Sequence, residues 1–309
     1  MEERKLSIEI ARAIGTPIDP NLPVNPLISG IADTEAVPAG EDCYTFVADT
    51  EVDKVYALAS NGSVTEVKVT PNAISSALTF AYFDSGLNYV LAKDILETKD
   101  STKMARTKIR LTRSLDKKEV AGIIVVALAA ATGDRAITQA TGDDVLDVII
   151  KMKHAIENYG DNYVLLAGAN VKNKIDSYDK DRANVDYYKV GINESLATMG
   201  IKVVKVSGVL STDGAANVPL LAADSAILVA LDSTLQVGRP LVAVRRIISA
   251  ELAAGLNIEV DNAQRGLFVA NVPVIVAGAN TLGYAIYGFE NFVIACVNPY
   301  AVAKCVTIA

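Results

Sequence analysis

Half of the chain's ten prolines crowd into its first forty residues, and they forbid a helix between Thr16 and Pro26. Pro17, Pro20, Pro23 and Pro26, with Pro38 beyond them, each remove a backbone donor and push the preceding residue into extended geometry. Yet Ile18, Leu22, Val24, Leu27 and Ile28 are spread through the same segment, behind a short amphipathic start at Leu6, Ile8, Ile10, Ala11 and Ile14. A disordered tail is poorer in apolar side chains than this. An extended arm laid against an apolar surface accounts for both properties, and that surface can belong to another chain.

Between Asp42 and Tyr89 the pattern turns strand-like. Tyr44, Phe46 and Val47, then Val52, Val55, Tyr56 and Leu58, lead into Ser60-Asn61-Gly62-Ser63. Val64, Val67 and Val69 continue beyond it. Asn-Gly between β-branched runs signals a hairpin, because a two-residue type I′ turn needs positive φ at both positions. Asn61 and Gly62 are therefore expected at a hairpin tip, and an ordinary surface hairpin is the simplest form of it. A second β run, Ala77 to Phe83, precedes Asp84-Ser85-Gly86.

Ser101 to Ala131 reads as one long helix, with Ser101 or Thr102 as its cap and Gly133 past its end. Its first half is basic: seven Lys or Arg between Lys103 and Lys118 face a single Asp116. Arg106, Arg110, Arg113 and Lys117 recur at steps of four, three and four, which places them on one helical face. Its second half, from Val120 onward, is apolar nearly all round and is expected to be buried. A charge run is usually a solvated face. Segregation this sharp also suits a stripe that meets acid, on a neighbouring subunit or on a polyanion.

From Thr141 the pattern is α/β. Thr141-Gly142-Asp143-Asp144 can cap a helix reaching Asn158; a buried strand follows at Tyr163 to Ala167, and Gly168-Ala-Asn170 opens a short helix. A helix over Ile192 to Met199 stops at Gly200 before a strand from Ile201, and another strand lies at Ala226 to Leu231. After Pro240 strands dominate, around Val242–Glu251, Leu256–Val260, Leu267–Ala270, Val274–Ala277 and Phe292–Val297. Ala167-Gly-Ala-Asn170 and Ala277-Gly-Ala-Asn280 look alike, a reused strand-to-turn device and no repeat architecture.

Composition narrows the functional classes. The 309 residues make about two domains at roughly 150 residues each. At 51% hydrophobic and 21% charged, the chain is neither disordered, collagenous nor coiled coil. A net charge of -7 argues against a dedicated nucleic-acid binder. Without Trp, the apolar content is small and aliphatic, which suits strands and close helices better than an aromatic cleft. Cys43, Cys296 and Cys305 show neither a disulfide framework nor zinc spacing, and fit a reducing compartment. No apolar run follows Met1 to Lys5, so no signal peptide is read, and Val120 to Ala131 is about half a bilayer span.

Catalytic machinery is thin. His154 is the single histidine, read as a solvated helix residue; there is no G-x-S-x-G and neither glycine-rich phosphate loop. Gly168-Ala-Asn lacks two of the glycines a nucleotide turn requires. Asp143-Asp144 and Asp179-Lys-Asp181 could hold a cation, but charge at a helix N-terminus explains the first pair and a polar loop the second. The residues point away from an enzyme and call for no cofactor and no metal.

An apolar arm, a β-hairpin arm, a long half-basic helix and an α/β unit closed by strands make an order of elements that resembles the major capsid proteins of tailed bacteriophages, the HK97-like fold. The resemblance covers essentially the whole chain and rests on order and pattern. It implies an α+β chain divided into an N-terminal arm (1–41), an extended hairpin loop (42–83) with Asn61-Gly62 near its tip, a peripheral domain (84–134 and 236–292) built on the long spine helix, and an axial α/β domain (135–235 and 293–309). Phe292 to Val302, with its Asn-Pro turn, is similar to the family's usual close. The implied function is self-assembly into the icosahedral head shell around the phage DNA. The implied partners are further copies in hexamers and pentamers, portal, scaffolding and decoration proteins, and packaged DNA held without sequence preference, with no membrane. The location would be the virion, after assembly in the host cytoplasm. Arg106, Arg110, Arg113 and Lys117 are then candidates for subunit or DNA contact. An encapsulin-type nanocompartment shell is the alternative within the fold; an α/β small-molecule-binding enzyme is the alternative outside it.

Overall fold

A computed structural model describes residues 30–37, 43–44, 78–79, 81–91, 102–182, 196–206, 208–210, 218–231, 239–247, 259–261, 265–276 and 279–308. In chain order the strands are β1 (Ala32–Val37), β2 (Cys43–Tyr44), β3 (Leu78–Thr79) and β4 (Ala81–Leu91), followed by helix α1 (Thr102–Ala130). Next come β5 (Ala136–Ile137), α2 (Val145–Ile156), β6 (Asn162–Ala167), α3 (Ala169–Arg182) and β7 (Ile201–Lys205). Then follow β8 (Val209–Leu210), β9 (Val218–Pro219), β10 (Ala226–Leu231) and β11 (Leu241–Arg246). The last strands are β12 (Glu259–Asp261), β13 (Arg265–Val276), β14 (Ala279–Cys296) and β15 (Val302–Cys305).

Two sheets share the work. One runs β5-β15-β10-β6-β7; the other runs β1-β11-β14-β13-β12, with β4 also paired to β14. The first is buried on both faces, which is why β6 and β10 read as unbroken apolar runs. Leu165, Ala167, Leu228 and Ala230 pack under α2 and α3 around Ile149, Met152 and Ile175. Their alternates Val164, Leu166, Ile227 and Val229 face a second core shared with the other sheet. α1 is the main contributor to that shared core. Ile123, Ile124, Ala127 and Ala131 are fully or almost fully buried there with Leu241, Ala243 and Phe292.

The expected helix of 101–131 forms as α1, one residue shorter at each end. Its buried side swings along its length. Leu115 and Glu119 are enclosed on one side, and the Ile123–Ala131 group about a third of a turn further round. The consequence corrects one expectation: the apolar half is not buried all round. Val125 is 65% exposed, in the outer i+4 row that contains Arg113, Lys117 and the exposed Ala129.

Three other readings change. Asp84-Ser85-Gly86 does not end a strand; β4 runs on to Leu91 and absorbs the triplet as a register shift opposite Ile286 and Gly288. The separate strands expected near Val274 and Phe292 belong to one long hairpin, in which β13 and β14 stay in register from Arg265↔Glu290 to Val276↔Ala279. Gly283 and Gly288 interrupt the apolar pattern without interrupting the ladder. And the end of the expected arm is not free: Ile31 and Ala32 are each 1% exposed, and β1 pairs in parallel with β11. Asp33 fastens it, accepting from the Arg239 N–H at 2.9 Å, while the Arg239 guanidinium donates to the Ala32 carbonyl at 3.2 Å.

Candidate assembly surface

α1 is charged against its own dipole. It has no acid in its first turn and no base in its last, while Lys103 and Arg106 stand near its N-terminus. Cations there cost a few tenths of a kcal/mol each, so helix stability does not account for the basic half. The C-terminal carbonyls are served from outside, by Lys304 Nζ of β15 donating to the Leu128 carbonyl at 2.7 Å.

The four stripe residues all lie on α1. Arg113 and Lys117 are exposed; the side chains of Arg106 and Arg110 fall outside the described residues. Lys117 Nζ reaches the Val209 carbonyl at 3.4 Å, where Val209 and Val218 of the β8–β9 pair are themselves 45% and 59% exposed. The one acid at the seam of the two halves, Glu119, does not neutralise this surface. It points inward, fully buried, and its carboxylate accepts two bonds from Arg245, at 2.7 Å from Nε and 2.8 Å from Nη2. Sequence reasoning missed this pair. Its signal was present: Arg245 follows Leu241 and Ala243 on the period-two face of β11 that meets α1. Asn61 and Gly62 lie outside the described residues, as do residues 1–29.

The other candidates are occupied by the fold. Asp144 caps α2 in a reciprocal box with Asp147, at 2.9 and 3.0 Å. Asp143 accepts from Lys151 Nζ at 2.6 Å and from the Ala140 N–H at 2.8 Å, and the lysine beside it holds its carboxyl below the usual range. Asp179 and Asp181 fall in the last turns of α3, a helix rather than the expected loop. His154 is exposed on α2. Burial pushes the Cys296 thiol up to about 12 and raises that of Cys305, which leaves both inert at neutral pH. No group of three or more metal-ligating side chains occurs among the described residues. No helix among them is long and apolar enough to cross a membrane.

The turn at Gly168 decides against a phosphate cradle. The N–H groups of Asn170 and Val171, at the start of α3, both donate to the Ala223 carbonyl, at 2.9 and 3.3 Å. The Gly168 N–H donates to Ser225 at 2.9 Å. Three of the donors at the mouth of this turn, from Gly168, Asn170 and Val171, are already used by the chain's own backbone. The glycine is there for room: a Cβ would stand 2.2 Å from the Ala222 oxygen and 2.5 Å from that of Ala223. Gly168→Ala is expected to cost about 3 kcal/mol. A denaturation midpoint unchanged from wild type would refute this packing role.

No family model matches the chain, and no curated protein sequence does. Solved structures do. A virus-like particle from Pyrococcus furiosus aligns with TM-score 0.53 at 12% identity, over 96% of this chain and 98% of that one. A protein assigned as the capsid protein of an E. coli CFT073 prophage aligns with TM-score 0.55 at 11% identity, over 99% and 98%. The holo-SrpI encapsulin complex from Synechococcus elongatus PCC 7942 gives 0.51 at 12%, over 93% and 89%. These likenesses span 93–99% of this chain and 89–98% of the others. The chain has the HK97-like α+β fold.

Proposed function

We propose that this chain is a shell subunit, the major capsid protein of a tailed bacteriophage, which self-assembles into a closed head around DNA. The observation that carries the reading is the likeness, over 93–99% of this chain, to proteins described as a virus-like particle, a prophage capsid protein and an encapsulin. In this reading the sheet of β5, β6, β7, β10 and β15, with α2 and α3, is the axial domain. The sheet of β1, β4 and β11–β14, crossed by α1 as the spine helix, is the peripheral domain. Residues before Gly30 act as the arm, and Asn61-Gly62 stands near the tip of the extended loop. The subunit works by contact and turns nothing over, and the engaged donors at Gly168 support that.

Arg106, Arg110, Arg113 and Lys117 then serve contact between copies or with packaged DNA, through charge complementarity between a basic row and an acidic chain. Hexamers and pentamers of this chain are the first partners; portal, scaffolding and decoration proteins follow from the same role. The location is the virion, with assembly in the host cytoplasm. The encapsulin reading stands second because one of the three structural likenesses is an encapsulin complex. Cargo inside particles, in place of nucleic acid, would distinguish it.

Negative-stain microscopy of the expressed protein is expected to show hexamers, pentamers or shells. A monomer with saturable small-molecule binding would overturn the proposal. The double variant Arg113→Glu, Lys117→Glu is expected to reduce closed particles, or their nucleic-acid content, at least tenfold. Because those side chains are exposed, its melting temperature should stay close to wild type. Particles with normal yield and content would reduce the stripe to a solvated face.

A further inference from the structure

Exposed apolar side chains are not scattered over this molecule. Among the described residues six large ones are well exposed, and four of them, Ile109, Val125, Val209 and Val218, lie on α1 or on the β8–β9 ribbon beside it. Single exposed apolar residues are ordinary, whereas a group of them around one helix marks a contact surface. Val125 is the most exposed of the six, and no described part of its own chain covers it.

The helix sets these residues in order. Ile109, Arg113, Lys117, Ala121, Val125 and Ala129 follow at steps of four, one ridge about 30 Å long at roughly 1.5 Å per residue. All are exposed except Ala121, which is half-buried. The row drifts round the helix by about 40° at each step, and the buried row Leu115, Glu119, Ile123, Ala127 and Ala131 drifts with it. The two bases of the ridge therefore stand between apolar ends. Lys117 has apolar neighbours at its side as well: its Nζ meets the Val209 carbonyl at 3.4 Å, and Val218 lies on the paired strand. A phosphate backbone is held by cationic and polar donors and gains nothing from valines set among them. Charge bordered by exposed apolar side chains is the make-up of a protein interface.

One segment of the chain has the matching character. Thr16 to Ile28, outside the described residues, contains Ile18, Leu22, Val24, Leu27 and Ile28, and Asp19 is its single charge. Its prolines favour an extended course of about 3.1 Å per residue, so Ile18 to Ile28 covers about 31 Å, the length of the ridge. With Asp19 against Arg113 and Lys117, the remaining apolar side chains run over Ala121, Val125 and Ala129. Acid meets base and apolar meets apolar in the same order along both. In this register the segment has to come from another copy. Ile31 is held in the shared core on the buried side of α1. The three residues from there to Ile28 reach at most about 11 Å, and half a turn round a helix about 10 Å across is about 16 Å.

We propose that the ridge from Ile109 to Ala129 is the seat of the arm of a second copy, with Asp19 set against Arg113 and Lys117, and that this ridge does not carry packaged DNA. The proposal rests on the shell reading and decides between the two contacts left open there for the stripe.

The test uses the full chain. Val125→Lys adds a charge to the basic row without touching either core, so its melting temperature should match wild type while closed particles fall at least tenfold. A nucleic-acid surface would respond in the opposite way. Normal particles with equal or greater nucleic-acid content would overturn the proposal. Cross-linking identifies the occupant. Wild-type chains, half of them labelled with heavy nitrogen, are treated with a carbodiimide, which joins a lysine amine to a carboxylate. The expected product is a Lys117–Asp19 link whose two peptides carry different labels. Links confined to one label would put the arm on its own helix, and links from Lys117 to a different acid would give the ridge another occupant; either result overturns the proposal. If wild-type chains form no shells, the shell reading fails by itself. The mixed-label link in their soluble oligomers would still uphold the contact, and its absence would overturn it.

Discussion

A chain that begins at Gly30 is expected to fold with a melting temperature within a few degrees of the full chain and to form no closed shells. The first half of that expectation follows from where the arm is tied. Among the described residues, Ile31 and Ala32 are the first side chains of the shared core, and Asp33 with Arg239 ties the chain there to its own sheet. Cutting before them removes nothing from either described core. The second half follows from what is cut. Ile18, Leu22, Val24, Leu27 and Ile28 sit among prolines that rule out a helical face of their own, and under the proposed shell reading a neighbouring copy is expected to cover them.

A longer cut should behave differently. Deleting residues 1–37 also takes Ile31 and Ala32 and the parallel ladder of β1 on β11. Burying one isoleucine is worth up to about 3 kcal/mol, and each lost ladder bond adds about 1 kcal/mol. The shorter deletion isolates assembly and the longer one confounds it with folding. Thermal denaturation beside electron microscopy separates them. Shells of normal yield from the chain starting at Gly30 would mean that the arm plays no part in assembly.

What was legible in the residues was whatever local rules decide. The extent of α1, Thr102–Ala130, matches the stretch read from Ser101 to Ala131, and the start of α2 follows from the Asp144 cap. β6 and β10 follow from apolar runs too short for helices and too continuous for a half-wet sheet. The order of these elements was enough to suggest the fold. The β13–β14 hairpin was not legible at its true length, because Gly283, Gly288, Glu290 and Asn291 look like breaks until a neighbouring strand supplies the ladder. Pairing in a sheet is long-range, and a strand sustained by its partners need not carry the pattern itself. The same holds for the end of the arm: nothing in Ala32 to Val37 announces β11, more than two hundred residues away. Of the stripe, periodicity correctly placed all four residues on one helix, but not which part of that helix faces out.

The largest effect on stability should come from the acid inside the basic helix. Glu119 is fully buried and Arg245 is 6% exposed, and the two form a paired, two-bond contact that also lies 6.0 Å from the Phe292 ring. Removing one member leaves the other charged in the shared core, so Glu119→Ala and Arg245→Ala are each expected to cost about 3–5 kcal/mol. Removing both, as Glu119→Leu with Arg245→Met, should cost far less than either alone, because the pair's attraction mainly repays its own desolvation. Chemical denaturation of the two single variants and the double variant closes the cycle. Additive losses would show that the two groups are not one unit.

Salt adds a second discrimination. Near 1 M salt the screening length falls to about 3 Å, which weakens exposed charges and hardly touches an enclosed pair. The loss in Glu119→Ala should therefore persist at high salt, while the assembly defect of Arg113→Glu with Lys117→Glu should change with it. Held inward by Arg245, Glu119 joins α1 to β11.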